Sequence, residues 1–463
     1  MGDGKQRIQP RTLKGFRDYL PAAAIPREWL ISRACEVYRS YGFSPIDTPA
    51  LEYEEVLAGK GGEESEKQMF RFEDAGGRRV AMRFDLTVPL ARFVAQYAHE
   101  LGTPFKRYHI GPVWRGEKPQ KGRYREFLQC DFDTVGTRSA AADIESGLVI
   151  ADLLGALGFE RFTVRVNDRR VLAGLLETLD LVQHAPAVLR ALDKLDKIGP
   201  EGMAAELERE AGVDGARSES VLELAAIEGA PGAVLERVGA LIAGSETGAA
   251  GVEALARFVS AVEAAGAPAG AFRIQPSLAR GLDYYTGIVF ETILDELPSI
   301  GSVCGGGRYD DLAQRFTKTP LPGVGASLGV DRLLAAMEEL GMIEGSTTPA
   351  DVFLPWFSRE RLDDYLALAA RLRAAGLAVE FYPEPKKLGA QLKYADRRKH
   401  KLAVIVGDDE WEAGSCQVKD LESGEARTVR LAGDDRAGFG DDLAAALSEV
   451  VKGRRGASGR PRS

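Results

Sequence analysis

The sequence predicts an α+β core that is interrupted by a helical insertion and followed by a separate α/β domain. In residues 1–170 and 269–345, short apolar strands bounded by Gly and Pro mix with a few helices. Residues 171–268 are instead rich in Ala, Leu, Glu and Gly with helical periodicity. Residues 349–450 alternate strands with helices. A chain of 463 residues is too long for one hydrophobic core, which agrees with several domains.

The bulk composition is that of an ordinary globular protein, with 45% hydrophobic and 28% charged residues. A formal net charge of −9 argues against a non-specific nucleic-acid coat, although it allows a local basic surface. The four cysteines and four histidines show no metal-ligand spacing, so we expect no metal site and a reducing, cytoplasmic setting. No apolar run approaches the length of a membrane span, and the N-terminus lacks a signal-peptide core.

The first half of the core is predicted to contain two helices and three strands. Apolar residues at helical spacing predict a helix over Pro26–Tyr41 that ends at Gly42. Alternating and β-branched patterns predict strands over residues 79–84, 105–110 and 127–135. A second helix is predicted over Asp143–Leu157.

The C-terminal domain is predicted to follow a βαβαβ order, which implies a parallel or mixed sheet with covering helices. Its predicted elements are the strand Val352–Trp356, the helix Arg359–Ala375, the strand Leu377–Tyr382, the basic helix Lys386–Lys399 and the strand Leu402–Val406. The tail, residues 451–463, contains Gly, Pro, Ser and Arg with little to bury, so it is predicted to be disordered.

A basic hairpin over Arg107–Asp133 carries the first candidate site. Its loop holds five cations, which are Arg115, Lys118, Lys121, Arg123 and Arg125. This charge density suits a polyphosphate or the end of an RNA, although a solvated hairpin tip is the simpler alternative. On the returning strand Gln129, Asp131 and Asp133 alternate, which puts them on one face of a sheet where they could line a pocket floor.

The segment Leu278–Glu291 places a cation, an acceptor and two aromatic donors ahead of an apolar strand, namely Arg280, Asp283, Tyr284 and Tyr285. This set suits a small, polar, partly aromatic ligand that lies next to an anion. Gly305–Leu312 then adds a Gly-Arg-Tyr-Asp cluster. Two such clusters make an ordinary strand after a charged turn a poor explanation.

These motifs resemble those of class II aminoacyl-tRNA synthetases. The hairpin resembles the second motif of the class, with Arg115 as its arginine, and Pro26–Pro49 and Gly323–Arg332 resemble the first and third motifs. More narrowly, Leu278–Glu291 and Gly305–Leu312 resemble the two signature segments of histidyl-tRNA synthetases. The resemblance covers nearly the whole chain.

The resemblance implies a catalytic core built on an antiparallel sheet with flanking helices. Residues 1–170 and 269–345 would form the two parts of this core, and residues 171–268 the helical insertion. Residues 349–450 would form an anticodon-binding α/β domain. There the basic stretch Lys386–His400 would face the RNA, with a solvated helix face as the alternative.

The resemblance also implies the reaction. ATP, with Mg²⁺, would activate L-histidine to histidyl-adenylate and pyrophosphate, and the histidine would then pass to the 3′ end of tRNA-His. No general base is needed, because the substrate carboxylate is already ionised at neutral pH. A cytoplasmic homodimer is expected for the same reason of resemblance.

Roles for individual residues follow from the matched motifs. The residues implied to bind histidine are Asp85, Leu86, Thr87, Arg115, Gln129, Asp133, Arg280, Tyr284 and Tyr285. Among them, Asp85–Thr87 would hold the α-amino group, and the two tyrosines would line the imidazole pocket. The catalytic pair would be Arg115 and Arg280, beside the α-phosphate, and ATP would be held by Arg115, Arg123 and Arg332.

Two alternatives of other functional classes remain open from the sequence. One is a non-catalytic paralogue, such as the regulatory subunit of ATP phosphoribosyltransferase, which shares the core and binds histidine. The other is an RNA-binding or stress-sensing module on the same fold. The presence of Arg115, Arg280 and Arg332 together with the C-terminal domain favours the enzyme.

Overall fold

The computed structural model describes residues 8–58, 67–280, 285–343, 345, 347–431 and 441–458. The chain divides into two compact units. Residues 1–18 and 30–340 form the first unit, and residues 19–29 and 341–463 form the second. Within the described ranges, no helix combines the length and the apolar character that crossing a membrane requires.

Up to residue 340, the chain alternates between strands and helices on either side of a long helical stretch. In chain order, the strands are β1 (Ser44–Pro45), β2 (Leu51–Tyr53), β3 (Arg71–Glu73), β4 (Arg79–Met82), β5 (Phe105–Trp114), β6 (Glu126–Val135), β7 (Phe162–Asp168), β8 (Phe272–Ile274), β9 (Ile288–Leu294), β10 (Cys304–Tyr309) and β11 (Gly323–Gly329). The helices are α1 (Pro21–Ser40), α2 (Glu54–Leu57), α3 (Thr87–Leu101), α4 (Ala140–Ala156), α5 (Arg169–Thr178), α6 (Ala185–Asp193), α7 (Leu195–Ala211), α8 (Gly215–Ala225), α9 (Pro231–Leu241), α10 (Glu246–Ala264) and α11 (Val330–Glu339). Short 3₁₀ turns cover Val182–His184, Pro298–Ile300 and Leu312–Arg315.

The core of the first unit is a large, mainly antiparallel sheet, as the sequence predicted. Among the described residues, eight strands pair in the order β1-β5-β6-β11-β10-β9-β7-β8, and a separate small sheet has the order β2-β4-β3. Parallel pairing occurs where β1 meets β5 and where β7 meets β8, which are the two edges of the large sheet. The long hairpin of β5 and β6 carries the predicted basic loop between its strands.

The helices α1, α4 and α10 pack on one face of this sheet, whereas α3 packs on the other face, where Val88 and Val94 share a buried cluster with Val135 of β6. The ring of Tyr38 on α1 lies 5.4 Å from that of Phe132 on β6. The ring of Phe258 on α10 lies 5.7 Å from that of Phe290 on β9. A Cβ on Gly147 of α4 would lie 2.6 Å from Phe258, so a glycine is needed there for the helix to approach. The side chains that directly precede and follow Phe132 and Phe290 in their strands therefore point to the opposite face of the sheet.

The helices α6 to α9 lie between α5 and α10, within the range 171–268 for which the sequence predicted helices. Buried apolar side chains such as Val188, Leu207 and Val221 form the interior of this helical segment. The flanking helices α5 and α10 pack closely, because a Cβ on Gly174 would lie 2.5 Å from the Cα of Gly248. This close approach ties the two ends of the insertion to one another and to the core.

The predicted start of α1 was wrong, because the helix begins at Pro21 and includes Pro26. The amide of Ala24 already donates to the carbonyl of Leu20 at 2.8 Å, so the first turn is formed. Pro26 deprives only the carbonyl of Ala22 of a partner, and Ala22 is exposed to solvent, which can satisfy it. Similarly, α4 begins earlier than predicted, because the hydroxyl of Ser139 caps it by accepting from the amide of Ala141.

The second unit carries its own sheet. Its strands are β12 (Val352–Leu354), β13 (Val379–Phe381), β14 (Leu402–Ile405), β15 (Ser415–Asp420) and β16 (Ala426–Arg430). Its remaining helices are α12 (Leu362–Ala374), α13 (Leu388–Arg397), α14 (Asp408–Glu412) and α15 (Asp441–Ser458), with a 3₁₀ turn over Arg359–Arg361. The strand order is β13-β12-β14-β15-β16, parallel from β13 to β14 and antiparallel afterwards. The predicted βαβαβ order is thus confirmed, while the hairpin of β15 and β16 was missed.

The helices of the second unit cover both faces of its sheet. Leu354 belongs to a buried cluster with Leu368 of α12, whereas its neighbour Phe353 belongs to a cluster with Ala395 of α13. The helices α12 and α13 therefore lie on opposite faces. The last helix, α15, extends further than composition predicted, into the segment expected to be disordered, and Val451 anchors it in the core.

Gly306→Ala is expected to lower the stability of the protein. A Cβ at this position would lie 2.2 Å from the carbonyl oxygen of Gly325 and 2.5 Å from the Cα of Ala326, on the neighbouring strand. Backbone atoms in the centre of a sheet move aside poorly, so the cost should be about 1–3 kcal/mol or more. Gly305→Ala is the matched control, because the nearest atom to its Cβ is the carbonyl oxygen of Phe290, at 3.6 Å. Thermal unfolding compares the two variants, and equal melting temperatures would contradict the prediction.

Candidate active site

A cavity of about 580 Å³ opens on the face of the large sheet opposite to α1 and α10, and the start of α3 contributes to its lining. Its floor is set by strand register, because directly opposed residues of antiparallel strands share a face. On β6 the floor residues are Gln129, Asp131 and Asp133, and opposite them on β11 are Gly329, Ser327 and Gly325. The three β6 side chains that alternate in sequence all line this cavity.

Glycines on β10 and β11 make room for the functional side chains of the floor. A Cβ on Gly325 would lie 2.4 Å from the Oδ1 of Asp133, and one on Gly307 would lie 2.9 Å from the ring of Tyr285. Any side chain at Gly325 would therefore displace the carboxylate. The glycines of β10 and β11 are therefore required because neighbouring side chains occupy the space that a Cβ would need.

The completely buried guanidinium of Arg107 organises the floor. Arg107 lies on β5, directly opposite Asp133 of β6, and its Nη2 is 2.6 Å from the Oδ2 of that carboxylate. It also donates to the backbone carbonyls of Asp131, at 3.4 Å, and Leu86, at 3.5 Å. Sequence reasoning missed Arg107 as a site residue. It had also assigned a substrate contact to Leu86, but the side chain of Leu86 is buried away from the cavity lining and only its carbonyl takes part.

Three carboxylates crowd around this single buried cation. Burial raises the pKa of Asp131 to about 7, against the lowering effect of Arg107 and with a further rise from Asp133. Burial likewise raises the pKa of Asp133 to about 6, again opposed by Arg107. Burial also raises the pKa of Asp85, although the amide of Val88 donates to its carboxylate at 3.1 Å and lowers it. The floor therefore favours a ligand that brings positive charge.

Unsatisfied acceptors point to the same kind of ligand. Within the described part of the chain, the buried Oδ1 of Asp131 and Oε1 of Gln129 have no hydrogen-bond partner, and both residues line the cavity. Buried acceptors without donors are costly. By contrast, Asp133 accepts from the hydroxyl of Tyr309 at 2.6 Å. Tyr309 belongs to the second signature segment but was not itself predicted as a site residue.

The rim of the cavity is cationic. Four arginines line it, and these are Arg115, Arg123, Arg280 and Arg332. Burial lowers the pKa of Arg332 to about 10, and the other three arginines lower it further by repulsion. Like charges gathered at one rim form a site for a polyanion such as a nucleotide phosphate.

Each of two rim arginines is fixed by a neighbour. The Nε of Arg115 donates to the carbonyl of Phe84 at 2.9 Å, and its guanidinium lies 5.1 Å from the ring centre of Phe127. The Nε of Arg280 lies 2.7 Å from the Oε1 of Glu291, which is on β9. Glu291 was missed because nothing in the sequence pattern links it to Arg280. The guanidiniums are therefore pre-positioned before any ligand binds.

The remaining predicted site residues fall into two groups. Asp85 and Thr87, at the start of α3, line the cavity, as does Tyr285. Asp283 and Tyr284 lie outside the described residues.

An N-terminal segment braces the basic loop. The amide of Arg125 donates to the carbonyl of Gly15 at 2.8 Å, and Arg17 donates to the hydroxyl of Tyr124 at 2.7 Å. A Cβ on Gly15 would lie 2.8 Å from the side chain of Arg125, and the positive φ of 88° there also favours glycine. The loop is thus packed against its own chain, and only its outer cations, such as Lys118, are exposed.

The basic stretch of the second unit presents most of its cations to solvent. Exposed residues there are Lys386, Lys387, Lys393, Arg397 and Lys399. His400 is instead buried, with its Nε2 2.9 Å from Glu380. It therefore contributes to the packing of α13 and not to a basic surface.

The geometry agrees with comparisons to known proteins. A family model described as histidyl-tRNA synthetase matches residues 15–333, and one described as anticodon binding domain matches residues 352–433. A histidine–tRNA ligase of Rhodopirellula baltica is 58% identical over 422 residues, which cover 91% of this chain and 96% of that relative.

Solved structures with similar folds agree with this. The crystal structure of a histidyl-tRNA synthetase from a Nostoc species superposes with a TM-score of 0.86 at 34% identity, covering 96% of this chain and 100% of the other. A Bacillus halodurans structure titled as an ATP phosphoribosyltransferase regulatory subunit/histidyl-tRNA synthetase has a TM-score of 0.71 at 25% identity, covering 84% and 97% of the two chains.

Asp131→Asn is expected to stabilise the ligand-free protein more at high pH than at low pH. Because burial raises the pKa of Asp131 to about 7, the native state keeps a proton that the unfolded chain, with an Asp pKa of about 3.9, has released. The stability from this group is present below about pH 4 and is lost as the pH rises to about 7. Asparagine does not titrate, so the gain in the free energy of unfolding from Asp131→Asn should grow with pH to roughly a few kcal/mol. The melting temperatures of the variant and the unaltered protein are compared at pH 5 and at pH 8. A difference between the two proteins that is the same at both pH values would contradict the argument.

Proposed function

The chain belongs to the histidyl-tRNA synthetase family, and from that membership we propose how its cavity activates the amino acid. It is an aminoacyl-tRNA synthetase that ligates histidine to tRNA, and its family uses ATP. In the proposed reaction the carboxylate of histidine attacks the α-phosphorus of ATP, which forms histidyl-adenylate and releases pyrophosphate. The histidine is then transferred to the 3′ end of tRNA-His.

The observation that carries the proposal is the pairing of an acidic, acceptor-rich floor with a cationic rim. We propose that Asp85, Thr87 and the Oε1 of Gln129 receive the α-ammonium group of histidine, since acceptors of this kind match its three donors. Asp133 and Tyr285, together with Tyr284, would receive the imidazole. An analogue without ring nitrogens would leave these buried polar groups unpaired, which gives strong discrimination.

The rim supplies the electrostatic part of the reaction. We propose that Arg115 and Arg280 contact the carboxylate and stabilise the charge on the α-phosphoryl group in the transition state. Arg123 and Arg332, with Arg115, would hold the rest of ATP. Mg²⁺ would enter as part of the co-substrate, where it neutralises charge on the leaving pyrophosphate. No general base is needed, because the attacking carboxylate is already ionised.

The non-catalytic alternative is not retained. Relatives that span nearly the whole chain at high identity are named as histidine–tRNA ligases. The complete set of rim arginines supports the same choice, because a regulatory subunit that only binds histidine has no need of a triphosphate site.

We propose the following division of labour along the chain. Residues 1–170 and 269–345 would carry the chemistry, with residues 171–268 as an insertion between them. Residues 349–450 would bind the anticodon through the exposed cations of α13. A cytoplasmic location is proposed because tRNA is charged where translation takes place.

We further propose a homodimer that uses the small sheet. Three large apolar side chains of β2 and β3 are about half exposed, with values of 44% for Leu51, 51% for Tyr53 and 47% for Phe72. Leu51 and Tyr53 share a face of β2, since they are two residues apart. A contiguous apolar patch of this kind is typical of a protein interface.

Arg280→Ala is expected to lower the rate of histidine-dependent ATP–pyrophosphate exchange by about 100- to 1000-fold, the usual loss when one transition-state donor is removed. Histidine binding should remain measurable by calorimetry, because the floor is intact. Arg273→Ala is the matched control, since Arg273 is half exposed on β8 and does not line the cavity. A less than tenfold loss for Arg280→Ala would refute its role, and no exchange by the unaltered protein would refute the activity itself.

Replacing Lys393 and Arg397 by alanine is expected to raise the KM for tRNA in aminoacylation while leaving ATP–pyrophosphate exchange unchanged. Affinity should also become less dependent on salt, because the salt slope falls by about one for each RNA phosphate that a cation no longer neutralises. Arg373→Ala on α12 is the control, because α12 lies on the opposite face of the sheet. If Arg373→Ala raised the KM for tRNA as much as the Lys393 and Arg397 replacements do, net charge and not the exposed face of α13 would determine tRNA binding.

A further inference from the structure

Asp131 is buried to 1% exposure and lines the cavity, yet the proposed function gives it no role. It lies directly opposite Ser327 across β6 and β11. The hydroxyl of Ser327 faces the carboxylate of Asp131 and lowers its pKa, against the larger rise from burial. The Nε2 of Gln129, in turn, donates to the Oγ of Ser327 at 2.6 Å. A hydrogen bond from the Ser327 hydroxyl to the carboxylate would join the three side chains in one chain along the cavity floor.

The direction of this chain is set by chemistry. Once Asp131 is ionised, above its raised pKa or beside a cationic substrate, its carboxylate only accepts hydrogen bonds, so the single proton of the Ser327 hydroxyl is directed to it. The hydroxyl oxygen then acts as an acceptor toward Gln129, and only the amide nitrogen of Gln129 can donate to it. The Oε1 of Gln129 is left as the free end of the amide, and it has no partner within the described residues.

We propose that Asp131 is a positioning residue for the reaction, acting through Ser327 to hold Gln129 with its Oε1 turned toward the α-ammonium group of the substrate. The inference rests on the proposed function, in which Gln129 contacts that group. If the amide turned over, its NH₂ group would face the ammonium, and two sets of donors would oppose each other. A serine that donated to Gln129 instead of Asp131 would permit that reversal.

Asp131 also contributes charge, which a test has to separate from orientation. Its carboxylate lies near Arg107, Asp133 and Asp85, and it faces His109 across the β5–β6 pair. Loss of its negative charge alone would weaken attraction for a cationic substrate. Asp131→Asn removes the charge but keeps an oxygen that accepts from Ser327. Asp131→Ala removes both.

The first measurement is the KM for histidine in ATP–pyrophosphate exchange. Asp131→Ala is expected to raise it by about tenfold or more, the usual cost of removing a hydrogen bond to a charged group. The kcat and the KM for ATP should change little, since the contact is made equally in the ground and transition states. Asp131→Asn should raise the KM for histidine clearly less than Asp131→Ala. Equal effects would mean that charge alone matters, and would overturn the positioning role.

The second measurement repeats both variants in a Gln129→Ala background. If Asp131 acts through Gln129, the difference between its Asn and Ala variants should disappear there, because nothing is left to orient. A difference that persists would overturn the inference. If Gln129→Ala alone leaves the KM for histidine unchanged, the assignment of Gln129 in the proposed function fails, which is a separate outcome.

Folding is controlled independently. The KM for ATP and the melting temperature report whether each variant keeps the native core. Should Asp131→Ala fail to fold, Ser327→Ala breaks the same chain at its middle without touching the buried carboxylate. It is then expected to raise the KM for histidine by about tenfold, again with little change in kcat. An unchanged KM for Ser327→Ala would overturn the inference.

Discussion

The buried guanidinium of Arg107 is the interaction on which the cavity depends. A charge without water is tolerated only when it is paired and hydrogen-bonded, and removal of one partner from such a pair usually costs about 3–5 kcal/mol. Here the carboxylate of Asp133 and two backbone carbonyls pair with the cation, while its Nε has no hydrogen-bond partner within the described residues. The surrounding strands therefore have to keep their register. The glycine at Gly325 follows from the same requirement, since the carboxylate needs the space that a Cβ would take.

Around this centre the cavity separates its charges. Excess negative charge lies on the floor beside Asp131 and Asp85, and positive charge lies at the rim. In the proposed reaction, the ammonium group of histidine would be attracted to the floor and the triphosphate of ATP to the rim. This arrangement would bring the carboxylate of histidine close to the α-phosphorus of ATP. Orientation of this kind lowers the entropic part of the barrier before any bond changes.

Local pattern in the sequence was enough to predict the mixture of strands and helices and the floor of the cavity, whereas the antiparallel sheet of the core was predicted from the resemblance. Period-two alternation put Gln129, Asp131 and Asp133 on one face, and the structure has them lining one cavity. The partnership of Gln129 with Ser327 was not predictable, since it depends on register between strands 198 residues apart in the sequence. The partnership of Arg280 with Glu291 was not predictable either, since the two residues share no helix or strand whose periodicity would link them. Helix starts were misjudged where a capping residue or a tolerated proline, and not periodicity, sets the boundary.

The contacts of Gly15 and Arg17 with the basic loop restrict how a fusion partner can be joined ahead of them. A purification tag or fluorescent fusion joined close to residue 15 would crowd the loop that is proposed to face the nucleotide, whereas the cavity floor would be untouched. Activity measured on such a fusion would understate nucleotide affinity while thermal stability looked normal. A spacer ahead of this segment avoids that artefact.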